Sequence, residues 1–315
     1  MVFIYKIDYE EIKKNILDLN KSDYLVIKSN AYGFGFEKVL DIAYGCGMRK
    51  FCILSLEDAM YIKKRYKDTT VLLLGPFNER KLKEYEENEI VVTITRENDF
   101  PLLKETNIIY QVEINSGMNR FGLNEFDCLK YINDERFIGI YSHNATGYIE
   151  HINDQMQYFF DRVIYINNKD IHFAASNTKD LNIPFTTSRR IGCDIYKNSL
   201  TVYAKIIYIN YCKKGSFIGY DYSYMLNEDG YIGVLDIGYA DGLERNCEGF
   251  KVYLNGTFFS LVGKACMNHS FILLDKEEYL NEEVIIIGKE NNLENYLKYF
   301  AKIPHEVYLS YLKRY

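Results

Sequence analysis

The chain has 315 residues, 48% of them hydrophobic and 26% charged, with a formal net charge of −6 at pH 7. Those values describe a globular protein of one large or two ordinary domains. With no basic block there is nothing to recommend a nucleic-acid partner, and with no apolar run near ~18 residues and no signal-peptide pattern we expect a cytoplasmic protein without a membrane partner.

The seven cysteines, at positions 46, 52, 128, 193, 212, 247 and 266, are scattered and odd in number. That distribution fits reduced thiols, with neither a disulfide framework nor a metal site. Along the first two-thirds of the chain, short apolar runs alternate with amphipathic stretches. Strands are predicted at Tyr24–Lys28, Phe51–Leu54, Thr70–Leu74, Ile90–Ile94, Ile108–Ile114, Phe137–Ser142, Ile171–Ala174 and near Arg190–Cys193. Helical patterns fall at Glu57–Lys67, Glu79–Glu87, Glu97–Lys104 and Gln155–Asn167. Repeated strand–helix units imply parallel pairing with right-handed crossovers, so an α/β fold with a (β/α)8 TIM barrel is expected over residues 1–200. A doubly wound open sheet is the alternative, but no Gly-x-Gly-x-x-Gly fingerprint opens the first unit.

From residue 201 to 315 the rhythm changes to strands with short turns: Tyr203–Cys212, Tyr231–Ile237, Phe250–Leu254, Thr257–Val262, Ser270–Leu274 and Glu283–Ile287. A mostly β C-terminal domain is expected there, and the first few residues of the chain could join it. Asn255-Gly256 between two apolar runs reads as a two-residue hairpin turn.

Lys28 closes the apolar run Tyr24-Leu25-Val26-Ile27 and is followed by Ser29-Asn30-Ala31-Tyr32-Gly33-Phe34-Gly35. A lysine at the rim of a sheet is partly desolvated, which lowers its pKa and frees the amine as the nucleophile a Schiff-base lysine needs. A snorkelling surface lysine before a glycine turn accounts for the same residues equally well. Barrel enzymes carry their functional groups at the C-terminal ends of strands. Lys28, Glu113, Arg120, His143, Ser176, Arg190 and Gly192 all fall there, although each alone reads as an ordinary structural or salt-bridged residue.

Family motifs separate these readings. Val26-Ile27-Lys28-Ser29-Asn30-Ala31-Tyr32-Gly33-Phe34-Gly35 resembles the pyridoxal-phosphate (PLP) lysine motif of alanine racemases, the fold-type III PLP enzymes. Ile114 to Gly122 resembles the family's Asp-Thr-Gly-Met-x-Arg-x-Gly segment, Tyr141 to Thr146 its histidine segment, and His172 to Asn177 its phosphate-serine motif. Arg190-Ile191-Gly192-Cys193 is similar to the Arg-x-Gly that follows. Further on, Ile237 to Arg245 nearly matches the Gly-Tyr-Ala-Asp-Gly signature, Val262 to Asn268 resembles Val-Gly-Arg-x-Cys-Met-Asp, and Glu306-Val307 resembles the closing motif.

The resemblance implies that Lys28 carries PLP, that Tyr32, Ser176 and the backbone at Gly192 and Cys193 bind its phosphate, and that Arg190 faces the pyridine nitrogen. An arginine gives up its proton with difficulty, so it donates to an unprotonated ring nitrogen and leaves a weaker electron sink. Racemisation needs a base on each face of the α-carbon. The resemblance implies Lys28 for the D-isomer's proton and a tyrosine for the L-isomer's; counting back from Tyr239 to the family's position gives Tyr220. His143 and Arg190 would support the Tyr220 oxygen, and Arg120, Met267 and Tyr239 would hold the substrate. In the family the tyrosine and methionine come from the partner subunit, which implies a head-to-tail homodimer with a small amino-acid substrate and a cell-wall D-alanine role.

Several positions depart from the family pattern. Glu113 stands where many members carry a carbamylated lysine, and a glutamate supplies an anion there without modification, so it is expected to orient Arg120. Lys264 replaces the usual arginine and Asn268 the aspartate, while Lys313 or Tyr311 falls near the position of a phosphate-binding tyrosine. These changes leave serine or a broader substrate range open beside alanine. A non-catalytic PLP-binding homeostasis protein and a fold-type III decarboxylase are the other readings; Tyr220, Tyr239 and Cys266-Met267 oppose the first, and Arg190 the second.

Overall fold

The computed structural model describes residues 4–146, 148–173 and 183–312. It divides into two compact units. One comprises Lys13–Ala31 and Gly35–Ile195; the other comprises the chain up to Ile12, Tyr32–Phe34, and everything from Tyr196 onward.

The strands in chain order are β1 (Tyr5–Ile7), β2 (Tyr24–Val26), β3 (Lys50–Ile53), β4 (Thr70–Pro76), β5 (Val91–Ile94), β6 (Tyr110–Ile114), β7 (Phe137–Ser142), β8 (Asp170–His172) and β9 (Arg190–Ile191). Strands β2 to β9 form one eight-stranded sheet in the order β8-β7-β6-β5-β4-β3-β2-β9, and every pairing in it is parallel. Because the first strand β2 pairs with the last, β9, the sheet wraps into a nearly closed barrel, as the alternating pattern predicts. Helices such as Leu56–Arg65 and Ile149–Val163 cover it, the first capped by Ser55, whose side chain accepts from the Asp58 N–H. The helix predicted at Gln155–Asn167 starts six residues earlier, at Ile149, and turns Ile152, Phe159 and Val163 inward at helical spacing.

The second unit is built on β10 (Leu200–Cys212), β11 (Phe217–Ile218), β12 (Tyr224–Met225), β13 (Gly230–Leu235), β14 (Lys251–Leu254), β15 (Thr257–Leu261), β16 (Ser270–Leu274) and β17 (Glu283–Ile287). Its main sheet runs β1-β10-β13-β16-β15-β14-β17, and an additional β10–β17 pairing closes it into a ring that β1 flanks. Leu254 pairs with Thr257, so Asn255 (φ 45°) and Gly256 (φ 91°) make the two-residue hairpin turn, both in the left-handed region this turn demands. Two helices outside the expected strands, Leu293–Phe300 and Pro304–Leu312, follow the last strand; the Asn292 side chain caps the first by accepting from the Asn295 N–H. Among the described residues no helix is long and apolar enough to cross a membrane.

Candidate active site

The barrel unit gathers Lys28, Glu113, Arg120, His143 and Arg190. Strand β2 stops at Val26, two residues short of the predicted end, because the backbone leaves the ladder for a left-handed turn. Ser29, Asn30 and Ala31 have φ of 54°, 54° and 53°, and Tyr32 continues at 57°. Each non-glycine residue held this way costs about 1–2 kcal/mol, so the turn exists only because its surroundings hold it. Its anchors are local: the Ala31 N–H donates to the Ile27 carbonyl, the Gly35 N–H to the Asn30 carbonyl, and the Phe36 N–H to the Asn30 side-chain oxygen at 2.7 Å.

The Lys28 amine is half-buried, and its pKa is lowered by desolvation first, then by the charges of Arg120 and Arg190. His143 is pushed down to about 3 by burial, and then by Arg190, Arg120 and Lys28. The imidazole is therefore neutral at physiological pH, and three cations act on one spot. Arg120 sits on a loop after β6 that is stitched by Asn115: its side-chain oxygen accepts from the Gly117 and Asn119 N–H groups, and its amide donates to Asn119 and Asn124. The loop folds back so tightly at Gly122 (φ 103°) that a Cβ there would lie 2.7 Å from the Asn115 nitrogen.

Glu113 is buried in β6, and burial raises its pKa against the pull of Arg190 and Arg120. The expected direct pairing with Arg120 is not what the structure shows. Among the described residues the Glu113 carboxylate has no ion pair with Arg120; it accepts from the Tyr141 hydroxyl at 3.3 Å and reaches Arg120 only through its field. The exposed guanidinium lies beside Phe121.

Arg190 opens β9 and is buried, with its guanidinium over the Tyr141 ring. It donates to the Ser142 carbonyl at 2.6 Å and lies 2.6 Å from Nδ1 of His172. The histidine bonded to Arg190 is thus His172, to which the sequence reading gave no role. Its signal was a polar residue ending an apolar strand. Gln111 was missed too, although it shares the inward face of β6 with Glu113 at the strand period of two. Gly192 and Cys193 follow β9 directly; the Cys193 thiol is buried and pushed up to about 12 by desolvation. Ser176 and Lys313 lie outside the described residues.

The other expected residues belong to the second unit. Tyr32 is buried there against the rings of Tyr196 and His305. Tyr311 is fully buried and hydrogen-bonds Tyr296. Tyr220, Tyr239 and Met267 are all exposed, at 60%, 42% and 57%. Gly238 lets two segments meet: a Cβ there would lie 2.4 Å from the Cys266 and Met267 carbonyl oxygens. The Tyr239 N–H accordingly donates to the Cys266 carbonyl and the Ala240 N–H to that of Met267. Asp221, beside Tyr220, pairs with Lys264 at 2.8 Å and Arg245 at 3.7 Å.

The donor set of the barrel suits PLP. A desolvated amine of lowered basicity is available for covalent attachment, and the field of Lys28, Arg120 and Arg190 suits a phosphate and a carboxylate. Arg190 supplies N–H donors and no acid. Barrel and site together define a fold-type III PLP enzyme.

Comparison with known proteins fixes the family. Residues 7–199 match the alanine racemase N-terminal domain and residues 199–315 the alanine racemase C-terminal domain. The alanine racemase of Listeria monocytogenes serotype 4a is 27% identical, over 96% of this chain and 93% of its own length. That of Pediococcus pentosaceus is 24% identical over 98% and 94%. The crystal structure of the alanine racemase from Bartonella henselae with covalently bound pyridoxal phosphate superposes with a TM-score of 0.86 at 25% identity, covering 99% of this chain and 98% of that one. The biosynthetic alanine racemase of Pseudomonas aeruginosa shares the fold at a TM-score of 0.87 and 18% identity, over 98% and 96%. The chain belongs to the alanine racemase family.

Proposed function

We propose that this protein is a PLP-dependent alanine racemase that interconverts L- and D-alanine with two bases, Lys28 and Tyr220. The observation that carries the reading is the Lys28 amine, held at a strand end by a left-handed turn and made less basic by burial and two guanidinium groups. PLP, when bound, draws electrons from the α-carbon of the substrate and so acidifies its proton. Lys28 Nζ holds or returns that proton on one face and Tyr220 Oη on the other. Arg120 binds the substrate carboxylate, assisted by the Met267 N–H and by Tyr239. Glu113 steadies Arg120 through its negative field. Tyr32, Ser176 and the backbone of Gly192 and Cys193 take the phosphate, and Arg190 donates to the pyridine nitrogen. Neutral His143 stands beside Arg190 without adding a charge.

Tyr220, Tyr239 and Met267 are exposed in the single chain. This supports a head-to-tail homodimer in which each barrel receives them from the partner. Seven free cysteines support a reducing, cytoplasmic setting. The C-terminal match argues against a barrel-only PLP-binding homeostasis protein.

The test is an absorbance spectrum of the purified protein with PLP before and after borohydride, followed by chiral analysis of products from L-alanine and L-serine. A cofactor band that is lost on reduction and absent in Lys28→Ala is expected, with D-alanine in excess over D-serine. A band with no D-product from either amino acid would overturn the racemase reading.

A further inference from the structure

The interior of a (β/α)8 barrel is ordinarily filled by branched aliphatic side chains. Here a line of polar groups runs through it. Arg190 Nη1 lies 2.6 Å from His172 Nδ1; His172 Nε2 lies 2.7 Å from Gln111 Oε1; Gln111 Nε2 donates to the Tyr24 hydroxyl at 2.8 Å. The Tyr24 hydroxyl donates to Asp170 at 2.7 Å, and Lys50 completes the line with its ammonium 2.7 Å from the same carboxylate. His172, Gln111 and Tyr24 are fully buried, so each would be costly without its partners.

The direction of every bond follows from chemistry. An arginine only donates, so His172 Nδ1 must accept, and the neutral ring carries its proton on Nε2. That proton needs an acceptor, which turns the Gln111 oxygen toward His172. From the other end, the Asp170 carboxylate paired with Lys50 only accepts, so the Tyr24 hydroxyl donates to it and accepts from the Gln111 amide. Both ends require the same amide orientation. The rings agree: His172 is stacked between Tyr24 (4.9 Å) and Tyr141 (5.0 Å), nearly parallel to both. Gly139 leaves the space, since a Cβ there would come within 3.0 Å of Gln111 Cδ.

We propose that Gln111, Tyr24, Asp170 and Lys50 are positioning residues that lock His172 as the Nε2–H tautomer and so hold Arg190 as a fixed hydrogen-bond donor to the cofactor ring. This rests on the PLP reading of Arg190. The lock keeps the ring a weak electron sink and thereby suppresses the side reaction in which alanine passes its amino group to PLP, leaving pyruvate and pyridoxamine phosphate in equal amounts.

The experiment combines ring-nitrogen NMR of isotope-labelled histidine in the holoenzyme and in the cofactor-free protein with an assay of racemisation against pyruvate release. His172 is assigned by replacing the other histidines singly, the chain having five with His172 included. In the unsubstituted protein His172 is expected neutral, with Nδ1 bare and Nε2 protonated. Gln111→Glu sets a carboxylate against the Nε2–H and is expected to protonate both nitrogens, removing the acceptor from Arg190. Pyruvate per racemisation turnover is then expected to rise roughly tenfold. Tyr24→Phe, which removes only the hydroxyl, is expected to give a mixture of tautomers and a smaller rise. A proton on Nδ1 in the unsubstituted protein overturns the proposal even if no variant folds. So does a folded, cofactor-loaded Gln111→Glu whose side-reaction ratio is unchanged. Absence of a cofactor band in the unsubstituted protein would defeat the PLP reading alone, with the tautomer measurement in the cofactor-free protein standing apart from it.

Discussion

Burial and charge act together on the two nitrogen bases of the barrel. Desolvation disfavours a cation, and the nearby guanidinium groups disfavour it again, so Lys28 loses basicity and His143 falls to about 3. For His143 the consequence for stability can be signed. Its folded pKa lies below the ordinary 6.5, so the unfolded chain binds more protons as pH falls from about 6.5 toward about 3, and stability contributed at neutral pH is lost across that window. His143→Gln is therefore expected to flatten the decline of the urea unfolding midpoint over that range, with His172 still contributing a residual slope; an unchanged slope would show that His143 is not held neutral. For Glu113, burial raises the pKa while the charges of Arg190 and Arg120 oppose that rise. Glu113→Gln should raise the KM for alanine about tenfold with kcat nearly retained, since Arg120 loses its compensating field. Equal KM values in steady-state assays would remove Glu113 from substrate binding.

At the scale of elements, the proposed site depends on places where backbone comes closer than a side chain permits. Gly238 lies against the Cys266 and Met267 carbonyl oxygens at a spacing no Cβ allows, and this contact keeps Tyr239 and Met267 side by side. Gly238→Ala is expected to cut kcat/KM at least tenfold while the cofactor band on Lys28 persists, because the substitution acts on the β unit and not on the barrel. Retained kcat/KM in a folded variant would contradict that role. Gly33 tests the other approach: at φ 92°, a Cβ would meet that of Leu312 at 2.6 Å, so Gly33→Ala should lower stability by at least ~2 kcal/mol in denaturant titrations. These contacts explain what the sequence revealed and what it withheld. The barrel was legible because its strands are continuous apolar runs, and the Asn255-Gly256 hairpin because two-residue turns have their own chemistry. Lys28 and Arg190 were legible as strand-end residues, and the motifs separated them from ordinary surface groups. The left-handed turn escaped notice since Ser29, Asn30 and Ala31 carry no local preference for positive φ strong enough to predict it, and the His172 to Lys50 line escaped because its members are up to 146 residues apart, as Tyr24 and Asp170 are. The helices after β17 were missed by extending a strand rhythm past Asn292, whose capping role marks the change.

For the whole molecule, the proposed chemistry divides between surfaces that one chain carries on two different units. Lys28 belongs to the barrel unit, and Tyr220 to the β unit with most of its ring uncovered. A head-to-tail dimer makes a prediction no self-contained site shares. Lys28→Ala and Tyr220→Phe homodimers should each be nearly inactive. When the two variants are unfolded together and refolded, about half the dimers are hybrids, and each hybrid has one site with both bases intact and one with neither. Activity should return to roughly a quarter of that of the unsubstituted enzyme, measured as D-alanine formed per mole of dimer. A Lys28→Ala/Tyr220→Phe double variant mixed with unsubstituted chain should instead leave each hybrid site short of one base, so its hybrids contribute nothing. Failure of complementation in mixtures whose hybrids are verified by differential tagging would place both bases within one chain and dismiss the head-to-tail arrangement. Complementation that scales with the hybrid fraction would establish that neither chain holds a complete site and that the exposed tyrosine and the half-buried lysine meet across two copies.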